Sequence, residues 1–204
     1  MNRETAIEEA KEIMGSNFIG PKELRLFGIK EFKLDKEADT VPFSKEKLLE
    51  KKEHYLLIYG ASEFADETPV NIQNLKQAVM VQHSNPTFYN QDWYDKEDFI
   101  ETPLEEGWFF IRKDVYEDSR AINPDTLMKS YAFPSAIKCT YSFFVAWICA
   151  DTKLWYEDFV WCSDVDHNGD RIYVGKYHDV DGINNDGFSI HRHLALRKCY
   201  TCID

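Results

Sequence analysis

Hydrophobic residues in the first quarter of the chain recur at helical spacing. Ile7, Ala10 and Met14 fall on one face of a helix that a glycine follows. The segments "GPKELRLFG" and "PFSKEKLLEKKE" predict two more short helices, the first with proline in its opening turn and the second with serine as its cap. Residues 1–53 are therefore predicted to form a helical portion.

From His54 onward the chain contains short, continuously apolar runs. "HYLLIYG" and "WFFIRKDV" are typical of buried strands, which bring apolar side chains to both faces of a sheet. The strongest helical pattern runs from Pro134 to Asp151 and contains the run "CTYSFFVAWICA". At twelve residues this run is too short to span a bilayer, so it predicts a buried helix packed against the sheet.

Alternating segments and turn residues make up the last quarter. "FVWCS", "RIYVGKY", "GFSIHRH" and "LALRKC" predict β-hairpins joined by Asp-, Asn- and Gly-rich turns. Phe188 and Ile190 share a face with Leu194, which predicts that this face is buried. His191 and His193 then lie on the opposite, partly exposed face. We expect both to titrate near the ordinary histidine value, between about pH 5 and 8.

The net charge of −12 is concentrated outside the helical portion. Residues 1–53 carry 11 of the 24 Lys/Arg and 12 of the 36 Asp/Glu, so the remainder holds 13 against 24, a net charge of −11. This field repels phosphate backbones and anionic lipid, which predicts that neither nucleic acid nor a membrane is a partner. A cation or a cationic partner is accommodated more easily.

The usage of cysteine bears on the compartment. The N-terminal sequence "MNRETAIEEAKEIMG" lacks the apolar stretch of an export signal. The chain has five cysteines, an odd number, and reduced thiols are the rule without export. These features predict a cytoplasmic location.

The sharpest polar cluster is "DVDHNGDRI". Asp164, Asp166, Asn168 and Asp170 occupy the first, third, fifth and seventh positions of an EF-hand-like spacing, with Gly169 at the sixth. Alternating oxygens around a glycine suit Ca²⁺, so these four residues are candidate calcium ligands. The glutamate that completes such a loop is absent and both flanks are predicted strands. A plain β-hairpin turn is the alternative.

The end of the chain offers a second candidate metal site. His191, His193, Cys199 and Cys202 supply the nitrogen and thiolate ligands that tetrahedral Zn²⁺ takes. The alternation continues to Lys198, as in any half-exposed strand, and Cys202 stands near the end of the sequence, where fraying is common. The alternative is an ordinary strand with a loose tail, and it predicts that truncation after Lys198 leaves stability nearly unchanged.

No catalytic motif accompanies these candidates. The sequence contains no glycine-rich phosphate loop, no G-x-S-x-G elbow and no H-E-x-x-H motif. No cysteine stands in a nucleophile signature. These absences favour a protein that is not an enzyme and that takes no cofactor other than a calcium ion at the Asp164–Asp170 loop.

Several blocks together resemble a set of short, uncharacterised bacterial proteins. They are "AKEIMGSNFIGPKEL", "VPFSKEKLL", "WYDKEDF" ahead of "GWFFIRKD", and "FPSAIKCTYSFFVAWICADTKLWYEDFVWCSDVDHNGDRIYVGKY". The tail is similar to the last strands of C-type lectin-like modules, including those of formylglycine-generating enzymes and of variable proteins in diversity-generating retroelements. The matching residues are Ser163, Arg171, Val174, Gly175, Asp181, Gly182, Ile183, Leu196, Arg197 and Lys198. The paired redox cysteines of formylglycine-generating enzymes are missing, so that activity is not implied.

The resemblance implies an α+β fold in one domain, residues 1–204. The helical portion, residues 1–53, would pack on a C-type lectin-like body of twisted antiparallel strands, residues 54–204. In such modules the stretch before the last strand lies at the surface and varies as binding loops do. That stretch implies a binding module that presents residues 177–193 to an unknown protein or small ligand. The expected binding residues are Tyr177, His178, Asn184, Asn185, Phe188, His191 and His193. A metal-binding protein, structural or enzymatic, is the alternative, with Ca²⁺ at the Asp164–Asp170 loop or Zn²⁺ at the histidine and cysteine tail.

Overall fold

The computed structural model describes residues 4–34, 39–178 and 186–193, and shows a mixed α+β fold. Its strands are β1 (Thr5–Ala6), β2 (Phe18–Ile19), β3 (Thr40–Val41), β4 (Tyr55–Gly60), β5 (Gly107–Arg112), β6 (Phe159–Val165), β7 (Arg171–Gly175) and β8 (Ser189–Arg192). Its helices are α1 (Ile7–Met14), α2 (Pro21–Leu24), α3 (Lys45–Lys51), α4 (Ile72–Val81), α5 (Pro124–Leu127) and α6 (Ala136–Ala150).

The predicted strands "HYLLIYG" and "WFFIRKDV" pair with each other and with a strand from the N-terminal portion. The sheet has the order β2–β4–β5, and its β4–β5 pair is antiparallel. The β2–β4 pair is parallel, with Phe18 opposite Leu57 and Ile19 opposite Ile58. The N-terminal portion, which the sequence predicts to be helical, therefore also contains β1, β2 and β3, and β2 adds a parallel pair to the edge of the sheet.

Alternation along β4 divides the sheet into two apolar faces. Leu56 and Ile58 point into the main core, whereas Leu57 belongs to a smaller cluster with Met14 of α1 and Leu48 of α3. Side chains on neighbouring positions of a strand point to opposite faces, so a continuously apolar strand is stable only if both faces are covered. Helices α1 and α3 provide the second cover.

The C-terminal segments form an antiparallel sheet with the order β6–β7–β8, as the hairpin patterns predict. One face presents Val160, Val174 and Ile190 to the main core. The other face carries Trp161, Tyr173 and His191, a row of rings at paired positions. The inward face fixes the register of β8, because a shift by one residue would bury His191 in place of Ile190.

Helix α6 lies at the centre of the molecule. Ser135 caps it by accepting a hydrogen bond from the amide of Lys138 at 3.3 Å. The helix contacts α4, β2, β6 and β7. It is apolar on nearly every side because both sheets and α4 surround it. No helix in the described parts of the chain combines the length and the apolar character that crossing a bilayer requires.

The helical portion and the rest of the chain share one core. Ile19 and Phe27 belong to the same buried cluster as Ile58, Phe144 and Ile190. The smaller cluster around Met14 also crosses residue 53, because Leu57 belongs to it.

Candidate functional site

Tyr177, the first residue of the expected binding region, lies in the core. It is 2% exposed, and its ring packs on Trp147 and Phe143 with centroid distances of 4.7 and 5.8 Å. Its hydroxyl donates to Asn85 Oδ1 at 2.8 Å and accepts from the amide of Thr87 at 3.3 Å. The prediction that Tyr177 is displayed at the surface is wrong, because a large ring gains more from burial when its hydroxyl finds partners there.

Phe188, near the other end of the region, is also a core residue. Its ring is fully buried and lies 4.6 Å from Phe143, 5.7 Å from Phe144 and 5.8 Å from Phe88, measured between centroids. Its amide donates to the carbonyl of Thr87 at 2.9 Å. The prediction that Phe188 is displayed at the surface is therefore also wrong, because a cluster of aromatic rings surrounds this side chain.

A backbone hydrogen bond joins the two anchors. The amide of Gly187 donates to the carbonyl of Tyr177 at 2.9 Å, so the two residues that flank positions 178–186 lie side by side. A Cβ at Gly187 would lie 2.5 Å from the amide nitrogen of Tyr89, which leaves room for glycine alone. The ends of the expected binding loop are thus fixed by buried contacts.

His178 and Asp186 stand just outside these anchors, and each side chain is 42% exposed. His178 Nδ1 lies 2.9 Å from Asp186 Oδ1, and its ring stacks parallel on Tyr156 at a centroid distance of 5.7 Å. The expected binding residues Asn184 and Asn185 lie outside the described residues. Of this part of the region, the structure therefore shows a histidine and an aspartate that are in contact and partly exposed.

His191 is half-buried on the outward face of β8. Its ring stacks on Tyr173 at 5.3 Å and meets the edge of Phe159 at 5.2 Å. Burial, together with the smaller effect of the charge of Lys176, lowers the pKa of His191 to about 4. The expectation that this histidine titrates near the ordinary value is wrong, because stacked rings replace the water that would solvate its proton.

His193 is half-buried at the end of the described part of β8. Its amide donates to the carbonyl of Arg171 at 2.8 Å, and its ring meets Trp161 edge-on at 5.3 Å. Phe188 and Ile190 are buried, as the parity of the strand predicts. The histidines therefore lie opposite the core face, packed among aromatic rings.

The low pKa of His191 predicts a pH-dependent stability. His191 binds a proton at about pH 6.5 in the unfolded chain and only near pH 4 in the folded protein. The contribution of the neutral ring to the free energy of unfolding is therefore fully present above pH 6.5, and it is lost as the pH falls towards 4. One pKa unit corresponds to about 1.4 kcal/mol, and water reaches part of the ring, so we expect a loss of about 2 kcal/mol. Urea unfolding across this range measures it. His191→Phe, which keeps the stacking, should flatten the decline, and an unchanged decline would contradict this assignment.

The loop with EF-hand-like spacing is a hydrogen-bonded turn. Asp166 Oδ1 accepts from the amides of Asn168 and Asp170, both at 2.8 Å, and its Oδ2 accepts from Arg192 Nη1 at 3.0 Å. Burial by itself would raise the pKa of the Asp166 carboxyl, but these donors outweigh it and hold the pKa below its usual value. Asp164 faces elsewhere, because its Oδ2 accepts from the amide of Ala136 at the start of α6, 2.7 Å away.

The structure instead brings Asp166 together with a residue far away in sequence. Among the described residues, Glu97, Asp166 and His167 offer potential ligand atoms within 4.8 Å of one another. The carboxylate of Glu97 accepts from the amide of His167 at 2.9 Å and lies 2.7 Å from its Nδ1. Each of the four carboxylate oxygens therefore has a protein partner, and this geometry favours a turn over an ion site. Glu97 stands in an irregular acidic stretch, and no spacing in the sequence indicates its contact with His167.

Removing the Asp166 carboxylate tests the turn against the calcium loop. We expect Asp166→Ala to destabilise the protein by about 2 kcal/mol, because two amides and Arg192 lose their acceptor. The loss should be equal in Ca²⁺ and in chelator, and the melting temperature of the wild type should not respond to Ca²⁺. Thermal unfolding checks both. Stabilisation of the wild type but not of the variant by Ca²⁺ would establish the ion site.

The zinc candidate is described only in part. Cys199 and Cys202 lie outside the described residues, as do the matching residues Leu196 to Lys198. Of the cysteines that the structure does describe, Cys139 and Cys162 are buried and Cys149 is half-buried. The thiolate half of the expected zinc set and the effect of truncation after Lys198 stay predictions.

Comparison of the chain with protein families, with curated proteins and with solved structures found no match in any of the three.

Proposed function

We propose that this protein is a non-enzymatic binding module on a C-type lectin-like body, and that residues 177–193 form its recognition region. One observation carries the proposal: the hydrogen bond between Gly187 and Tyr177 holds together the two residues that flank positions 178–186, and Tyr177 is buried. A loop fixed at both ends can change its sequence without changing the core. That separation is what recognition loops on rigid scaffolds use.

The C-type lectin-like assignment rests on the order of the C-terminal strands and on the matching tail residues. The β6–β7–β8 sheet carries Ser163, Arg171, Val174 and Gly175 of the pattern. The variable stretch of the pattern corresponds to about residues 184–193, which begin in the connection between β7 and β8 and include β8 itself. These features support the assignment, and they also attach the recognition region to a rigid sheet.

Charge restricts the class of partner. The chain carries a net charge of −12, and the carboxylate of Asp186 lies 2.9 Å from His178 Nδ1, beside residues 177 and 178 of the recognition region. We therefore propose a protein or a small ligand as the partner, and neither nucleic acid nor a membrane, because both are polyanionic. We propose a cytoplasmic location for the encounter.

Alanine substitutions in the exposed part of the region test this function. A triple variant, His178→Ala with Asn184→Ala and Asn185→Ala, should lose the partners that wild-type protein captures from its source cells. A matched control is Lys47→Ala with Glu50→Ala, an exposed ion pair on α3. The control should keep every partner, and both variants should melt within about 3 °C of the wild type.

Quantitative comparison of the captured proteins decides the outcome. Partners that bind the wild type and the α3 variant but not the triple variant support the proposal. Retention of every partner by the triple variant refutes it.

A further inference from the structure

Beside the recognition region, two half-buried rings form an open corner. Trp147 on α6 and Tyr156 in the following loop are 5.8 Å apart between centroids and inclined at 63°. The buried ring of Tyr177 contacts both, at 4.7 Å from Trp147 and 5.6 Å from Tyr156. The two walls are therefore held rigidly by the core.

A cation of the protein itself occupies this corner. The exposed residue Lys153 places Nζ over both rings, 4.8 Å from the centroid of Trp147 and 4.8 Å from that of Tyr156. Within residues 4–34, 39–178 and 186–193, no carboxylate forms an ion pair with this ammonium. Electron-rich ring faces attract the charge, but they offer no acceptor for its three N–H donors.

We propose that the corner between Trp147 and Tyr156 is a binding site for a trimethylammonium group, and that Lys153 fills it when no ligand is bound. A quaternary ammonium has no N–H donor and sheds its water easily. It therefore fits a site that provides ring faces alone better than a primary ammonium does.

The charge of the surroundings suits this ligand. One wall of the corner, Tyr156, also stacks on His178, whose partner Asp186 brings a carboxylate to the same side of the molecule. The net charge of −12 attracts cations in general. Lys153 is exposed and free of ion pairs to the described residues, so its departure breaks no other contact that the structure shows.

The inference goes beyond the proposed function, with which it shares only His178 and Tyr177. If the wild type binds no cation and the triple alanine variant loses its partners, only this site is refuted. If the wild type binds the cation and the triple alanine variant keeps its partners, only the proposed function is refuted.

The test is a titration of the full chain with tetramethylammonium, followed by the proton resonance of the ligand methyl groups. Contact with ring faces should shift this resonance upfield. Choline should bind about tenfold more tightly than 3,3-dimethylbutanol, its neutral isostere, since the charge supplies the attraction. Comparison of choline with Nε-trimethyllysine then shows which source of the trimethylammonium group the site favours.

Two variants make the result specific to the corner. Lys153→Met removes the competing cation from an exposed position, and we expect affinity for tetramethylammonium to rise about threefold. Trp147→Leu should abolish the upfield shift, with circular dichroism confirming that it folds. Equal binding of choline and its neutral isostere overturns the inference. So does unchanged affinity in Lys153→Met, or an absent response in both the wild type and that variant.

Discussion

Replacing Phe188 by alanine should destabilise the protein by about 3 to 5 kcal/mol. The ring is fully buried against Phe88, Phe143 and Phe144, so its removal leaves a cavity that the rigid aromatic neighbours cannot fill. A domain of this size loses about 2 to 4 °C for each kcal/mol, which predicts a fall in melting temperature of roughly 10 °C.

Thermal unfolding monitored by circular dichroism measures this effect. Leu49→Ala is the matched control, because that side chain is 53% exposed and its loss should change stability by less than about 0.5 kcal/mol. If Phe188→Ala were as mild as the control, Phe188 would be a surface residue after all.

Replacing Gly187 by alanine should cost about 3 kcal/mol. The new Cβ would lie 2.5 Å from the amide nitrogen and 2.6 Å from the Cα of Tyr89, both of them backbone atoms that cannot rotate away. The isolated β-bridge between Phe88 and Phe188 would have to break. The hydrogen bond between Gly187 and Tyr177 would be lost with it. Chemical unfolding gives the free energy.

Gly169→Ala separates steric conflict from the general cost of replacing glycine. A Cβ at Gly169 meets nothing within 4 Å, although its φ of +83° disfavours other residues. That variant should lose about 1 kcal/mol. Equal losses at the two positions would mean that Tyr89 does not confine Gly187.

Local signals in the sequence predict much of the fold. Ser44 and Ser135 cap α3 and α6, and the apolar runs that begin after His54 become β4 and β5. These elements can be predicted from the sequence because caps and periodicity act within a few residues. The hairpins of β6, β7 and β8 are readable for the same reason.

Local sequence patterns do not predict elements that depend on distant partners. Strand β2 is two residues long and becomes a strand only because β4 lies beside it. Helix α4 also goes unpredicted, although Asn71 caps it through the amide of Asn74. Its short amphipathic pattern stands in a stretch whose other aromatic and polar residues are irregular.

The candidate site shows the same division. Turn composition leaves the Asp164–Asp170 segment open between calcium and a plain turn, and the donors that distinguish them include Arg192, far along the chain. Parity places Ile190 in the core, but it does not reveal that rings on the opposite face desolvate His191. Tyr177 and Phe188 are aromatic residues in a turn-rich stretch, where composition alone does not separate an anchor from a displayed contact.

Exchange of residues 179–185 for a glycine–serine segment of equal length tests whether these residues bind the partners. In one preparation, the melting temperature and the set of captured partners are measured for this variant and the wild type. We expect a melting temperature within about 3 °C of the wild type together with loss of the partners, since the anchors Tyr177 and Phe188 are intact. Retention of all partners, or unfolding of the variant, would contradict it.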